Sequence, residues 1–135
     1  MVANLQTTVP NQDIQYGVEQ VMIGTITYLD TAAKVIGAIP AGAIVTEALV
    51  STTTAFNAAT TNNLSIGQTD PTGTVANAYV NAQAIGPVGT VQPTMATTTN
   101  VPLSRPTQIT ATYVPTGGGQ SAGAAVVAVR FIVPR

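Results

Sequence analysis

The chain has 135 residues, of which 7% are charged and none is His or Cys, and its formal net charge is −1. This composition lacks the imidazole and thiolate groups on which most acid–base, nucleophilic and transition-metal sites depend. It also offers no basic stripe for a phosphate backbone, which argues against nucleic-acid binding. We therefore predict a protein that is not an enzyme and has no catalytic, cofactor-binding or metal-ligating residue.

Membrane insertion and secretion are not expected either. Residues 1–13 are polar and lack the basic and apolar regions of a signal peptide. The most apolar stretch, residues 122–133, is too short to span a bilayer and contains Gly123 and Arg130. We expect synthesis in the cytoplasm and no membrane partner.

Short strands are predicted along most of the chain. The first contains Val21 and Ile23 on one face and Met22 and Ile26 on the other. Because both faces are apolar, we expect this strand to lie inside a sandwich and not on water. Residues 75–85 carry a weak alternative signal for helix, since alanine is frequent there. The predicted strands are residues 21–29, 34–39, 43–51, 63–67, 74–80, 90–92, 107–114 and 124–133.

Turn residues separate these strands. Pro40-Ala41-Gly42 and Asp70-Pro71-Thr72-Gly73 have the composition of tight turns. The Pro- and Thr-rich residues 86–105 suggest a long surface connection with one short strand. Residues 115–123 are Gly-rich, and we expect a flexible hairpin loop that joins the last two strands. The final strand is apolar on both faces, which favours a central position in its sheet or cover by a neighbouring subunit.

Strands of this number and spacing predict an all-β fold. We expect a single antiparallel β-sandwich with jelly-roll or related Greek-key topology. Residues 1–18 have no apolar periodicity and are predicted to form an N-terminal arm, with the sandwich domain in residues 19–135.

Few residues are candidates for chemistry. Glu19, Asp30 and Glu47 would need to converge to act on a glycosidic bond. Simpler roles for Glu47 are an ion pair with Arg130 or Lys34, or a solvated position on the surface. Asp70 suits a turn better than a calcium site, which usually gathers several carboxylates. Gly117-Gly118-Gly119 lacks the Lys and following helix of a phosphate loop.

Aromatic residues offer one further possibility. Tyr16 and Tyr79 could stack on a sugar ring if they are exposed, although packing in the core or at an interface is the commoner use of tyrosine. Phe56, within a Thr-rich run, is expected to anchor the core.

The low charge itself favours assembly. A monomer of this composition would expose an apolar, Thr-rich surface, and such surfaces are commonly covered by a partner or by copies of the same chain. The alternative is a monomer kept soluble by the hydroxyls and amides of Thr, Asn and Gln.

Several short motifs occur along the chain. They are Ile39-Pro40-Ala41-Gly42-Ala43, Thr53-Thr54-Ala55-Phe56-Asn57, Asn63-Leu64-Ser65-Ile66-Gly67, and the strands Thr110-Ala111-Thr112-Tyr113 and Ala125-Val126-Val127-Ala128-Val129-Arg130-Phe131 around a Gly-rich loop. Over roughly residues 20 to 133, these motifs resemble those of small virion proteins of tailed bacteriophages. The resemblance implies a jelly-roll head decoration (capsid cement) protein.

This resemblance also implies partners and a location. The protein would bind the major capsid protein on the capsid exterior of the virion, as a structural homo-oligomer, with a trimer favoured over a dimer. The alternative hypothesis is a carbohydrate-binding or adhesin β-sandwich module.

Overall fold

A computed structural model describes residues 17–96 and 99–134. These residues form strands joined by turns and loops, and none of them is helical. Residues 1–16, most of the predicted arm, lie outside the described part, so the arm stays a prediction. The strands are β1 (Glu19–Thr27), β2 (Lys34–Ile39), β3 (Ile44–Thr54), β4 (Thr61–Asp70), β5 (Gly73–Ala84), β6 (Gly89–Val91), β7 (Thr107–Thr116) and β8 (Ala124–Ile132).

The strands form two antiparallel four-stranded sheets, in the orders β1-β8-β3-β6 and β2-β7-β4-β5. We call these the first and the second sheet. Strand pairs β4–β5, β3–β6, β2–β7 and β1–β8 are those of one long hairpin rolled into two layers. The tip of this hairpin is the predicted turn, where Asp70 faces Gly73. This order is a jelly roll, so the predicted fold class is confirmed.

Alternation along the central strands builds the core. In β8, Val127, Val129 and Phe131 are buried, whereas the residues between them are only half-buried. From the second sheet, Ile109 and Tyr113 of β7 meet this face. The prediction that the last strand is central in its sheet is confirmed, because β8 pairs with both β1 and β3.

The last two strands do not form the predicted hairpin. β7 pairs with β2 and β4 in the second sheet, whereas β8 lies in the first. Gly117, Gly118 and Gly119 between them all have positive φ, which glycine adopts without steric cost. The Gly-rich segment therefore turns the chain from one sheet to the other. β7 and β8 are both central strands with a neighbour on either side. If they paired with each other, each would lose one of these neighbours.

β1 also differs from its prediction. It lies at an edge of the first sheet, and only one face, with Met22 and Ile26, is turned inward. Val21 and Ile23 on its other face are 52% and 66% exposed. The prediction of a strand covered on both faces was therefore wrong. A strand with apolar residues on both faces can be covered on both sides or can leave one apolar face exposed, and the sequence pattern is the same in the two cases.

β5 forms where the weak helix signal lay, and its pairing with β4 is irregular. Leu64, Ile66 and Gln68 of β4 each pair with a residue of β5, but the register shifts once between Leu64 and Ile66 and again between Ile66 and Gln68. Next to the larger shift, the backbone of Val75 and Ala76 lies directly over Gly67. A Cβ at Gly67 would overlap the carbonyl oxygen of Val75, so only glycine fits beneath this strand.

The long connection from Gly86 closes one end of the sandwich. It contains the short strand β6, as predicted, and then returns along the start of β3. The N–H of Leu103 donates to the carbonyl of Ala43 at 2.9 Å, and the N–H of Asn100 donates to that of Val45 at 2.8 Å. Met95 and Leu103 pack against the core. The connection is therefore part of the folded domain in its described residues.

Replacing Gly67 tests the close approach of β5. Gly67→Ala is expected to lower the free energy of unfolding by about 1–3 kcal/mol, the usual cost of overpacking. Gly86→Ala is the matched control, since a Cβ there would sit in ordinary contact with Asn62 at 3.7 Å. It should stay within about 0.5 kcal/mol of wild type. Urea unfolding followed by circular dichroism measures both; equal stabilities would contradict the packing described here.

Candidate interaction surface

The outer side of the first sheet carries an apolar surface, which we call the outer face. The register places Ile23, Ala128 and Leu49 side by side across β1, β8 and β3. The next row contains Thr25, Val126 and Ser51. These side chains project away from the core, because the residues that alternate with them in β3 and β8 are buried. The result is a flat strip of small and apolar side chains.

Charged groups at the strip are already paired. Arg130 Nη1 donates to Glu47 Oε1 at 2.5 Å, and Gln92 donates to the other oxygen of Glu47 at 3.0 Å. The Thr46 hydroxyl donates to Glu19 Oε2 at 3.1 Å. Of the two predicted partners of Glu47, the structure selects Arg130. Lys34 lies 3.6 Å from Asp30 instead. Because Arg130 and Glu47 neutralise each other, covering the strip beside them would not leave either charge alone, whereas Glu19 at the end of β1 has a hydrogen bond but no counter-ion among the described residues.

The second sheet presents a different outer side. Thr110 and Thr112 of β7 face outward there, yet both are buried. Their hydroxyls make no hydrogen bond within the part of the chain that the structure describes. Part of the cover on this side comes from the irregular segment of β5 over Gly67. The two sides of the sandwich are therefore unlike: in the central rows of the first sheet Ile23 is exposed, and Leu49, Val126 and Ala128 are half-buried.

The candidate carboxylates do not gather. Glu19 and Glu47 lie on the outer face, whereas Asp30 follows β1 in the turn toward β2 and accepts hydrogen bonds from the N–H and hydroxyl of Thr27. Within residues 17–96 and 99–134, no group of three acidic side chains could hold a metal ion. The arrangement gives these carboxylates structural partners and no shared cleft.

Asp70 belongs to the turn between β4 and β5, as predicted. Its Oδ1 accepts hydrogen bonds from the hydroxyl of Thr72, at 2.5 Å, and from its N–H, at 2.8 Å. These bonds hold the pKa of Asp70 below its ordinary value. A groove of about 450 Å³ lies beside this turn, lined by residues that include Ile39, Pro71 and Gln108. Asp70 is the one ionisable group among its lining residues, which gives the groove no acid–base pair.

The aromatic residues pack in the core. Phe56 is buried as predicted, with its ring centroid 4.6 Å from that of Tyr113. Tyr79 is 2% exposed and its hydroxyl donates to Gln68 at 2.9 Å, so of its two interpretations the core one is correct. Tyr16 lies outside the described residues. A sugar-stacking platform at Tyr79 is therefore excluded.

Comparisons with known proteins find the fold but no close relative. No family model matches the chain, and no curated protein matches it. A chain in the acidic stable capsid of Helicobacter pylori bacteriophage KHP30 has a TM-score of 0.64 and 13% identity, covering 90% of this chain and 92% of that one.

Two further capsid structures contain similar chains. One in the cyanophage Pam1 capsid asymmetric unit has a TM-score of 0.59 and 17% identity, covering 99% of this chain and 100% of that one. One in the capsid of Ralstonia phage GP4 has a TM-score of 0.56 and 16% identity, with coverage of 94% and 90%. The chain shares its fold with chains of phage capsids. Coverage is nearly complete in both directions, so the likeness extends over the whole sandwich.

No helix among the described residues is long and apolar enough to cross a bilayer. The outer face was not singled out from the sequence. Its signal was the apolar character of both faces of residues 21–29 and 124–133. That pattern does not indicate which face of each strand packs in the core and which lies on the outside of the sheet.

The buried phenol of Tyr79 predicts a loss of stability in alkali. Burial raises its pKa from the ordinary value of 10.0 to about 12. Because the folded state holds the proton more tightly, the stabilising contribution is complete below pH 10 and is lost as the pH rises toward about 12. Tyr79→Phe should lose about 1 kcal/mol at neutral pH, with its hydrogen bond.

The same variant should lose less additional stability over this alkaline range than wild type does. Urea unfolding at a series of pH values measures the difference. Tyr28→Phe, which removes the hydroxyl of a half-buried tyrosine, is the control and should retain the wild-type decline. An alkaline decline of wild-type size in Tyr79→Phe would contradict the assignment.

Proposed function

We propose that this protein is a structural virion protein that decorates a phage head, binding the outer surface of the capsid and cementing its subunits. The observation that carries the proposal is the shared fold with chains of three phage capsids over at least 90% of each chain. A whole-length match supports a similar role for the entire domain. A fold alone hosts many functions, so the surface must also fit this one.

The surface supports contact better than chemistry. The candidate carboxylates have structural partners, and the outer face offers an apolar strip beside the Arg130–Glu47 ion pair and the hydrogen-bonded Glu19. Exposed apolar strips on soluble proteins commonly mark interaction sites. We infer that this face lies against the major capsid protein. Many weak contacts, repeated by the symmetry of the capsid, would then sum to stable attachment without any strong single site.

The remaining parts of the proposal follow the sequence. The arm in residues 1–18 and the connection in residues 86–105 are suited to reach across a joint between capsid subunits. Val88 and Val101 in that connection are 65% and 54% exposed. The protein would act on the virion exterior as a non-enzymatic homo-oligomer. The resemblance favours a trimer.

Capsid binding tests the proposal directly. Protein added to capsids that lack it should co-sediment with them and raise the temperature at which they disrupt. Val126→Lys, in the central strand of the outer face, should reduce retention, because an ammonium would have to lose its water at the contact. Val114→Lys is the matched control, a valine of the central strand β7 of the other sheet, 38% exposed, and should be retained like wild type.

The alternative, a carbohydrate-binding module, is an outcome of the same set of measurements. Jelly rolls include lectin domains as well as capsid proteins. No retention of wild type at saturating protein, together with binding on a glycan array, would replace the proposal with that alternative. Equal retention of both lysine variants would reject the outer face as the capsid contact while leaving decoration itself intact.

A further inference from the structure

The four edges of the two sheets are protected unequally. β6 has three residues, and the pairing of β2 with β7 shifts register between Val35 and Gly37. β5 carries two register shifts and a residue of positive φ, Ala82. Short strands and bulges are the usual means of preventing a sheet edge from pairing with another chain. β1 has neither, since all nine of its residues pair with β8 in unbroken register.

Successive peptide groups of β1 point alternately toward β8 and toward the free edge of the sheet. The N–H of Tyr28 donates to the carbonyl of Gly123 at 3.1 Å, so residues in phase with Tyr28 bond to β8. The peptide groups of Val21, Ile23 and Thr25 therefore point to the free edge. Within residues 17–96 and 99–134, no backbone hydrogen bond outside the strand pairings involves Val21 or Ile23.

One group at this edge already has a partner. Lys34 Nζ donates to the carbonyl oxygen of Thr25 at 2.8 Å. The open part of the edge is thus bounded by an ammonium group at one end and by Glu19 at the other. The side chains between them, Val21 and Ile23, are large, apolar and more than half exposed.

We propose that β1 pairs antiparallel with β1 of a second copy about a two-fold axis. In this register Val21 lies opposite Ile23 of the second copy, and the first sheets of the two copies join into one continuous sheet. This inference rests on the homo-oligomeric part of the proposed function and names the surface involved. The pairing gives hydrogen-bond partners to the N–H and C=O groups of Val21 and Ile23 that point to the free edge, for which the described residues provide none. It also covers both apolar side chains with their counterparts.

Charge favours this register. With Val21 opposite Ile23, Glu19 lies opposite Thr25 of the second copy, whose carbonyl holds Lys34. Symmetry therefore brings the Glu19 carboxylate toward the ammonium of Lys34 at each end of the pairing, where Lys34 also contacts Asp30 of its own chain. No like charges face each other across the axis, which removes the usual electrostatic penalty for pairing a strand with itself.

The same edges argue against a ring built by strand pairing. A head-to-tail trimer needs β1 to meet a different edge, and β2, β5 and β6 are each shortened or bulged. A two-fold pair needs only β1 itself. The edge geometry therefore favours a dimer over the trimer that the resemblance implies.

Mass measurement tests the dimer on the full chain. Sedimentation equilibrium should give twice the chain mass of 13.7 kDa. Ile23→Lys should weaken self-association by about tenfold or more, because lysine on an edge strand opposes pairing. Val88→Lys, a valine 65% exposed against 66% for Ile23, is the matched control and should dimerise like wild type. A wild-type monomer or trimer, or an Ile23→Lys dimer of wild-type affinity, would overturn the proposal.

Charge exchange identifies the register and does not depend on the Ile23 variant. Glu19→Lys and Lys34→Glu should each lose dimer, since each places like charges at both ends of the pairing. An equal mixture of the two variants should form a heterodimer, because every end then joins opposite charges. Failure of the mixture to associate would overturn this register. Co-sedimentation of these variants with capsids is measured separately, so loss of the dimer and loss of decoration remain distinguishable.

Discussion

The packing of the two inner sheet faces against each other is the constraint on which the rest of the structure depends. Within the described residues there are two ion pairs, Lys34–Asp30 and Arg130–Glu47, and both are partly exposed. Pairs of this kind contribute little to stability. Burial of apolar side chains must therefore supply most of the stabilising free energy. Tyr113, Leu64, Ile66 and Ile109, all fully buried, are among the largest contributors.

This dependence on apolar packing explains which features were predictable from the sequence. An inner face must be apolar at every second residue, and strands with that period were located correctly from β1 to β8. The turn at Asp70-Pro71-Thr72-Gly73 was predictable because its residue types favour it locally. The core position of Phe56 followed from the same reasoning about burial, whereas the sequence left the partner of Glu47 open between Arg130, Lys34 and solvent.

Partner choice was not predictable in the same way. A short Gly-rich loop after Thr116 fits a hairpin as well as a crossing between sheets, and local sequence does not distinguish them. The decision is made by the whole set of strands, since β7 and β8 are both central and each needs two neighbours. The edge position of β1 has the same origin. Its apolar outer face was visible in the sequence, but its exposure depends on which strands lie beside it.

The difference between the two outer sides of the sandwich follows from these placements. Gly67 lets the backbone of β5 lie over the second sheet, and the hydroxyls of Thr110 and Thr112 are buried on that side. On the first sheet, within the described residues, Ile23 is exposed and Leu49 and Val126 are only half-buried. Three of the four sheet edges are shortened or bulged, whereas β1 is regular. β1 is therefore the edge best suited to pair with another strand. Because most charged side chains of the described residues are already paired or hydrogen-bonded within the chain, the pairing that we propose would draw its selectivity mainly from shape, strand register and the few ions at the ends of β1.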